Sequence, residues 1–236
     1  MTDLFIRGFR VNWDRVPEDS YLHHIEALRG VSEVSFPAPV TFLVGENGSG
    51  KSTLLEAVAV AFGFNAEGGT INYRFSTYDD LSPLHEALTL IKGVKRPHLG
   101  YFFRAETFFN VATTGKVVYQ SADYHSRSHG EGFLSFMQGF DRPGLYLMDE
   151  PEAALSSQRQ LVLLEHLYTA AKNGSQFLIA THSPILLGLP KAAILSFDGA
   201  RISPCRYEDT QSYQITRAFL EHRDLILSEL LEDTEP

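Results

Sequence analysis

Residues 45–52 read GENGSGKS and match the pattern G-x-x-x-x-G-K-[ST] at every fixed position. Glycines in such a turn allow positive φ angles, which direct successive backbone N–H groups toward one anion. The preceding run VTFLV (40–44) is continuously apolar, as is typical of a buried parallel strand, and the apolar-rich stretch LLEAVAVAF follows as a helix beginning at Lys51. Strand, glycine-rich turn and helix in this order predict a phosphate-binding loop.

The residues expected to hold the phosphates lie in this turn and at the start of its helix. The N-terminus of a helix carries a partial positive charge that favours anions. We expect Lys51 to reach the β- and γ-phosphates and the Ser52 hydroxyl to bind Mg²⁺. The predicted nucleotide-binding residues of this segment are Gly45, Glu46, Asn47, Gly48, Ser49, Gly50, Lys51, Ser52 and Thr53.

A second apolar strand, GLYLMD (144–149), ends in two adjacent carboxylates. A magnesium–nucleotide site needs a further hard oxygen ligand opposite the phosphate loop, commonly at the end of a neighbouring strand. Asp149 is therefore the predicted second magnesium residue, acting mostly through the waters of the ion. Glu150 is the predicted general base that polarises the attacking water.

The segment LMDEPEAALSS (147–157) resembles the Walker B motif and D-loop of ABC-type ATPases. That superfamily includes transporter motors and the chromosome-maintenance and repair ATPases. The resemblance implies a magnesium role for Asp149, catalysis by Glu150 and a place at a dimer seam for residues 154–156. The segment ATHSP (180–184), at the end of a third apolar strand, resembles the switch-histidine segment of the family, which implies that His182 contacts the γ-phosphate and helps to position water.

The family also uses a signature segment, usually Leu-Ser-Gly-Gly-Gln, that one subunit donates to the ATP of its partner. The best match here is RSHGE (127–131), which keeps Ser128 and Gly130 at what we expect to be the start of a helix. The same residues fit an ordinary capping box from Ser128 to Glu131, and the two roles are compatible. The following GFLSFMQGF departs from the basic, Ile-Ala-Arg-Ala-like helix of transporter members. The chain is thus more similar to stand-alone ATPases described loosely as AAA-family.

Two further family features have no clear match. Glu106 could stand in for the Q-loop glutamine, but a solvated carboxylate at the end of a strand is an equal alternative. Phe5, Phe9, Trp13 and Tyr21 all precede the phosphate loop and are candidates to stack on adenine. Aromatic residues in such positions are more often part of the core, so the sequence does not choose among them.

Composition limits the class of protein. The chain has 236 residues, 44% of them apolar and 21% charged, which suits a soluble globular domain with one sizeable core. It has no apolar run of about 20 residues and no secretory signal, and its single cysteine, Cys205, suits a reducing compartment. We therefore expect a cytoplasmic protein. The net charge of −9 disfavours a general nucleic-acid binder.

The alternation of strands and helices predicts an α/β fold, namely a P-loop NTPase of the ABC type with a mostly parallel central sheet flanked by helices. A smaller helical and loop-rich subdomain would carry the signature segment. We expect one domain over 1–236, with a less regular middle region at 65–140 and a disordered tail at 231–236. The other predicted elements are strands at 3–11, 33–36, 98–104, 116–120, 176–181 and 192–198, and helices at 20–29, 131–139, 152–172 and 211–231.

The function that these motifs predict is Mg²⁺-dependent ATP hydrolysis in a homodimer that encloses two nucleotides and drives or switches a protein partner. One alternative is the ATP-binding subunit of a transporter with a separate membrane permease. Another is a DNA-repair or defence-type ATPase that works with a nuclease or nucleic acid. A switch that binds ATP without hydrolysing it is disfavoured by the intact Glu150.

Overall fold

The computed structural model describes residues 4–71, 82–105 and 142–231, and the predicted strands around the phosphate loop are all present there. The described strands are β1 (Ile6–Val11), β2 (Glu33–Ser35), β3 (Val40–Val44), β4 (Gly69–Thr70), β5 (Leu88–Lys92), β6 (Leu99–Arg104), β7 (Gly144–Asp149), β8 (Gln176–Ala180), β9 (Ala193–Ser196) and β10 (Ser203–Pro204). The described α-helices are α1 (Lys51–Phe62), α2 (Leu84–Ala87), α3 (Ser157–Lys172), α4 (Pro184–Leu187), α5 (Gln211–Glu221) and α6 (Arg223–Leu231).

The main sheet has the strand order β10-β9-β3-β8-β7-β6-β4. Strands β9, β3, β8, β7 and β6 run parallel, while β10 and β4 pair antiparallel at the two edges. The mixed α/β architecture with a mostly parallel central sheet is therefore confirmed. In this order β8 lies between the strand of the phosphate loop, β3, and the strand of the acidic pair, β7.

Helices cover both faces of the sheet, which explains why its central strands read as unbroken apolar runs. On one face, Leu43 and Leu178 pack with Leu54 and Val58 of α1. On the opposite face, side chains of the same strands pack with α3 and α4. The fully buried members of that second core include Phe42, Phe177, Ile179, Leu163, Leu167 and Leu186.

A smaller antiparallel sheet of order β2-β1-β5 shares the core of α1. It is tied to the main sheet by Gln176, which is buried at the start of β8. The Gln176 side chain accepts a hydrogen bond from the N–H of Ile6 at 2.9 Å and donates one to the carbonyl of Ile6 at 2.7 Å. Both backbone groups lie at the start of β1. The Gln176 side-chain amide therefore satisfies an N–H and a carbonyl of Ile6 that the pairing of β1 with its neighbouring strands leaves without partners.

The predicted helix at 20–29 is wrong. The chain forms a short 3-10 helix at Tyr21–His24, followed by further tight turns up to Val31. Leu22 and Leu28 are buried in the core of α1, and this burial fixes the path of the segment. Tertiary packing therefore overrides a weak helical propensity here.

Three other predictions needed adjustment. The helix expected at 152–172 begins at Ser157, after a 3-10 turn at Pro151–Ala154. The closing helix is interrupted at His222, which separates α5 from α6. The middle region contains the regular strand β5, which the sequence analysis missed.

Several predictions fall outside the described residues. These are the strand at 116–120, the helix at 131–139, the signature subdomain with Ser128 and Gly130, the residue Glu106, and the tail beyond Leu231. Among the residues that are described, no helix has the length and apolarity needed to cross a membrane.

Candidate nucleotide site

The phosphate loop, the acidic pair and His182 meet at the carboxyl edge of the main sheet. Ala180 of β8 pairs with Leu43 of β3 on one side and with Asp149 of β7 on the other. The segments that follow these strands therefore start side by side. A hydrogen bond of 2.9 Å from the N–H of Glu150 to the carbonyl of Ala180 extends the pairing past the end of β7. Ligands of open α/β sheets bind in the crevice at this edge.

Glycine is required within the phosphate loop for conformation and for space. Gly45, Gly48 and Gly50 have φ angles of 145°, 79° and 97°, which residues with side chains rarely adopt. A Cβ atom on Gly50 would lie 2.8 Å from Cγ2 of Ile25 and 2.9 Å from Cδ1 of Leu28. The turn that replaces the predicted helix at 20–29 thus packs directly against the loop.

Lys51 lies inside the loop that it terminates. Its side chain is almost fully buried, with 4% of the residue exposed, and Nζ donates to the carbonyls of Gly45 at 2.6 Å and Glu46 at 2.8 Å. Burial lowers the pKa of the Lys51 ammonium, and nearby carboxylates, first that of Glu150 and then that of Asp198, oppose the shift. The ammonium is positioned to interact with an anion held by the loop.

Ser52 and Asp149 are in direct contact although they come from distant parts of the chain. The Ser52 hydroxyl donates a hydrogen bond of 2.9 Å to Oδ1 of Asp149, which is buried at the end of β7. A hydroxyl and a carboxylate brought together at a phosphate loop are hard oxygen ligands of the kind that Mg²⁺ prefers. The donor set therefore fits this ion.

Glu150 and His182 approach each other from neighbouring strand ends. Glu150 has φ 49° and ψ 54°, a left-handed conformation that costs a residue with a side chain about 1–2 kcal/mol. Its side chain is 47% exposed, and Oε1 lies 3.9 Å from Nε2 of His182, beyond hydrogen-bond distance. Within the described part of the chain, this Nε2 has no hydrogen-bond partner. The Glu150 side chain is therefore accessible to a substrate, whereas Nε2 of His182 is buried beside it with its hydrogen-bonding capacity unused by the described residues.

Glu46 of the phosphate loop forms hydrogen bonds with residues that were not predicted from the sequence. The N–H of Glu46 donates to Oδ1 of Asp198 at 3.0 Å, and Oδ2 of the same carboxylate accepts from the Ser196 hydroxyl at 3.1 Å. Gln211 of α5 donates to the Glu46 carboxylate at 3.1 Å. These residues line a cleft of about 1040 Å³ beside the loop. The sequence feature that could have identified Asp198 is its position at the end of the apolar run 192–198, which predicts a place at the carboxyl edge of the main sheet.

We expect Asp198→Ala to weaken ATP binding about three- to tenfold, because a hydrogen bond to a charged acceptor is removed from an exposed part of the loop. Asp198→Asn keeps an acceptor and removes a negative charge near the anion, so it should bind ATP at least as tightly as the wild type. Calorimetric titration with ATP measures both. Asp209→Ala is the control, since Asp209 lines the same cleft but pairs with Arg206. Wild-type affinity in Asp198→Ala would contradict this anchoring role.

The candidate adenine-stacking residues separate by burial. Phe5 and Phe9 are buried in the core of α1. Trp13 is partly buried and donates its indole N–H to the carbonyl of Val31 at 2.9 Å, whereas Tyr21 is 51% exposed. Burial thus disfavours Phe5 and Phe9, and stacking of adenine on Trp13 or Tyr21 stays a prediction.

Arg104 is the last residue of β6 and lies two positions before Glu106, the candidate for the Q-loop glutamine. It pairs with Asp149 in the register of β6 and β7, and its guanidinium donates to the Glu56 carboxylate of α1 at 2.8 Å. This contact links the end of β6 to the helix that follows the phosphate loop.

The chain is similar in sequence and fold to several known proteins. A family model described as an AAA domain matches residues 21–87, which include the phosphate loop. The lipoprotein-releasing system ATP-binding protein LolD of Zymomonas mobilis subsp. mobilis, in two strains, is 22% identical over 213 residues, covering 76% of this chain and 88% of the relative. The solved SMC head domain from Thermotoga maritima aligns at 14% identity over 86% of this chain and 99% of that one, with a TM-score of 0.49.

Three observations indicate the kind of protein to which the chain is similar. The phosphate loop and the acidic strand end face each other across β8 in a mostly parallel sheet. The family model spans the phosphate loop, and the similarity to LolD extends over three quarters of the chain. The phosphate loop, the matching family model and the similarity to LolD together support an ATP-binding P-loop ATPase of the ABC type.

Proposed function

We propose that this ATPase hydrolyses Mg²⁺-bound ATP as a head-to-tail homodimer and uses the cycle to drive or switch a protein partner. Hydrolysis is supported by the hydrogen bond of 2.9 Å between the Ser52 hydroxyl and Asp149. Glu150 and His182 lie at the ends of the adjoining strands. A magnesium donor pair, a carboxylate base and a hydrogen-bonding histidine are then grouped around the phosphate loop.

In the proposed site, Ser52 and Asp149 would hold Mg²⁺, and the bound ion would neutralise charge on the β- and γ-phosphates. The Glu150 carboxylate accepts a hydrogen bond from the attacking water and takes its proton. Lys51 stabilises the negative charge on the transferred phosphoryl group. His182 contacts the γ-phosphate and limits the positions that the water can take.

The dimer is proposed because the chain carries a signature-like segment with Ser128 and Gly130 that would reach the ATP of a second copy. Residues 154–156 would lie at the seam between the two copies. ATP would then close the dimer and hydrolysis would open it, which converts chemical energy into a movement that a partner protein can sense.

The dimer is tested by light scattering and by ATP turnover at increasing protein concentrations. We expect ATP to promote a species of twice the chain mass, and turnover per chain to rise with concentration. Ser128→Glu should abolish both effects while retaining ATP binding, because it places a carboxylate against the γ-phosphate. Ser126→Glu, outside the motif, is the matched control. Concentration-independent turnover by a monomer would overturn the dimer but not the ATPase.

The similarity to LolD supports a second candidate, the ATP-binding subunit of a membrane transporter. In that case the partner is a permease, and the movement of the dimer acts on its cytoplasmic side. Reconstitution with a membrane protein encoded beside this chain is the appropriate test. A several-fold stimulation of ATP turnover favours this candidate, whereas unchanged turnover and no complex oppose it.

A further inference from the structure

Glu152 connects two parts of the nucleotide site that belong to different strands. It lies in the 3-10 turn after β7, two residues beyond Glu150. Its Oε1 accepts a hydrogen bond of 2.7 Å from the backbone N–H of His182, which follows β8. Because 30 positions of sequence separate the two residues, this contact depends on the tertiary fold.

The local backbone gives the His182 N–H few other partners. The N–H of Ser183 is bonded to the Thr181 hydroxyl at 3.0 Å, and the Ser183 hydroxyl caps α4 by accepting from Leu186 at 3.1 Å. His182 therefore precedes the cap and lies outside the hydrogen-bond pattern of the helix. The N–H of His182 therefore needs an acceptor from a side chain, and the Glu152 oxygen supplies it.

The turn that carries Glu152 is itself fixed to Glu150. The N–H of Ala153 donates to the carbonyl of Glu150 at 3.1 Å, and the N–H of Leu155 donates to the carbonyl of Glu152 at 2.9 Å. The bond from Glu152 to His182 thus sets the position of the histidine backbone relative to the predicted base. In this arrangement Glu150 Oε1 and His182 Nε2 lie 3.9 Å apart.

We infer that Glu152 is a positioning residue for hydrolysis, which places His182 against the γ-phosphate next to Glu150. The inference rests on the proposed roles of Glu150 and His182. Glu152 acts through its hydrogen bond to the backbone N–H of His182. Its length and its acceptor oxygen therefore matter more than its charge.

Three substitutions separate contact from charge. Glu152→Gln keeps the length and one acceptor oxygen, and we expect turnover within about threefold of the wild type. Glu152→Asp keeps the charge but withdraws the oxygen by one methylene. It should lose about tenfold or more in kcat, as should Glu152→Ala. ATP affinity should stay within about threefold in all three, because the phosphate loop is unchanged.

The measurements are kcat and ATP affinity, with thermal unfolding to identify variants that fail to fold. Since Glu152→Gln and Glu152→Asp differ least from the native side chain, the test does not depend on Glu152→Ala folding. A kcat that decreases from the wild type to Glu152→Gln and then to Glu152→Asp supports positioning by contact. The reverse order, with Asp active and Gln impaired, overturns it in favour of an electrostatic role.

A double-mutant cycle with His182→Ala tests whether Glu152 acts through the histidine. In the His182→Ala background, Glu152→Asp should change kcat by less than about twofold. Independent, multiplicative losses overturn the inference and leave the role of His182 intact. Wild-type turnover in His182→Ala alone overturns the proposed role of the histidine, and the inference fails with it.

Discussion

Replacing Glu150 by glutamine is expected to reduce the ATP turnover number by about 100-fold or more, the usual size of a general-base contribution. Glutamine has nearly the same shape but cannot accept the proton of water at neutral pH. It should also tolerate the left-handed backbone of this position as well as glutamate does, because the cost arises at Cβ. The folded structure and ATP binding should therefore persist.

Turnover, ATP affinity and mass by light scattering measure this outcome together. If the dimer is correct, the variant accumulates as an ATP-bound dimer because the step that opens it is blocked. Glu165→Gln is the control, since Glu165 is exposed on α3 and distant in sequence from the motifs. Turnover within about threefold of the wild type would show that another group activates the water.

Lys51→Met is expected to weaken ATP binding by about 100-fold or more, equivalent to about 2.7 kcal/mol. The ammonium is buried inside the loop, where its attraction for phosphate is screened less than at the surface. Titration with ATP measures the loss. Lys172→Met, an exposed lysine at the end of α3, should bind ATP as the wild type does.

The same substitution makes a separate prediction about stability. Burial lowers the pKa of Lys51, which means that the charged form is less favourable in the folded protein than in water. Methionine fills a similar volume without a charge, but it also removes the hydrogen bonds from Nζ to the carbonyls of Gly45 and Glu46. Because these two effects oppose each other, the Tm of Lys51→Met without nucleotide should stay close to that of the wild type. A lower Tm together with lost affinity would point to damage of the loop and not to the loss of a phosphate contact.

The parts of the site that could be predicted from sequence follow fully buried strands. Because helices cover both faces of β3, β7 and β8, their sequences are unbroken apolar runs, and the first polar residue after each run is conspicuous. Residues 45–52 were predicted from the pattern G-x-x-x-x-G-K-[ST] that follows one such run, and Asp149 and His182 from polar residues at the ends of two others and their resemblance to ABC-type ATPases. Because these strands are parallel neighbours, the residues at their carboxyl ends lie at the same edge of the sheet.

The parts that could not be predicted depend on partners that are distant in the chain. Glu152 bonds to His182 across 30 positions, and Asp198 bonds to Glu46 across 152. Nothing in the spacing of these carboxylates distinguishes them from solvated ones. Strand β5 was missed for a related reason, because it is defined by its pairing with β1 at the beginning of the chain.

The strand order has a consequence for how the protein is made. In the described sheet, β3 pairs only with β8 and β9, so that Val40 lies beside Phe177 and Thr41 beside Ala193. During synthesis at about 5–20 residues per second, an apolar strand therefore waits on the order of ten seconds for its first neighbour. A nascent chain that stops before Gln176 contains the whole phosphate loop but cannot assemble the sheet that supports it. We expect such fragments to aggregate or to be retained by chaperones, and nucleotide binding to be acquired late, when β8 enters between β3 and β7.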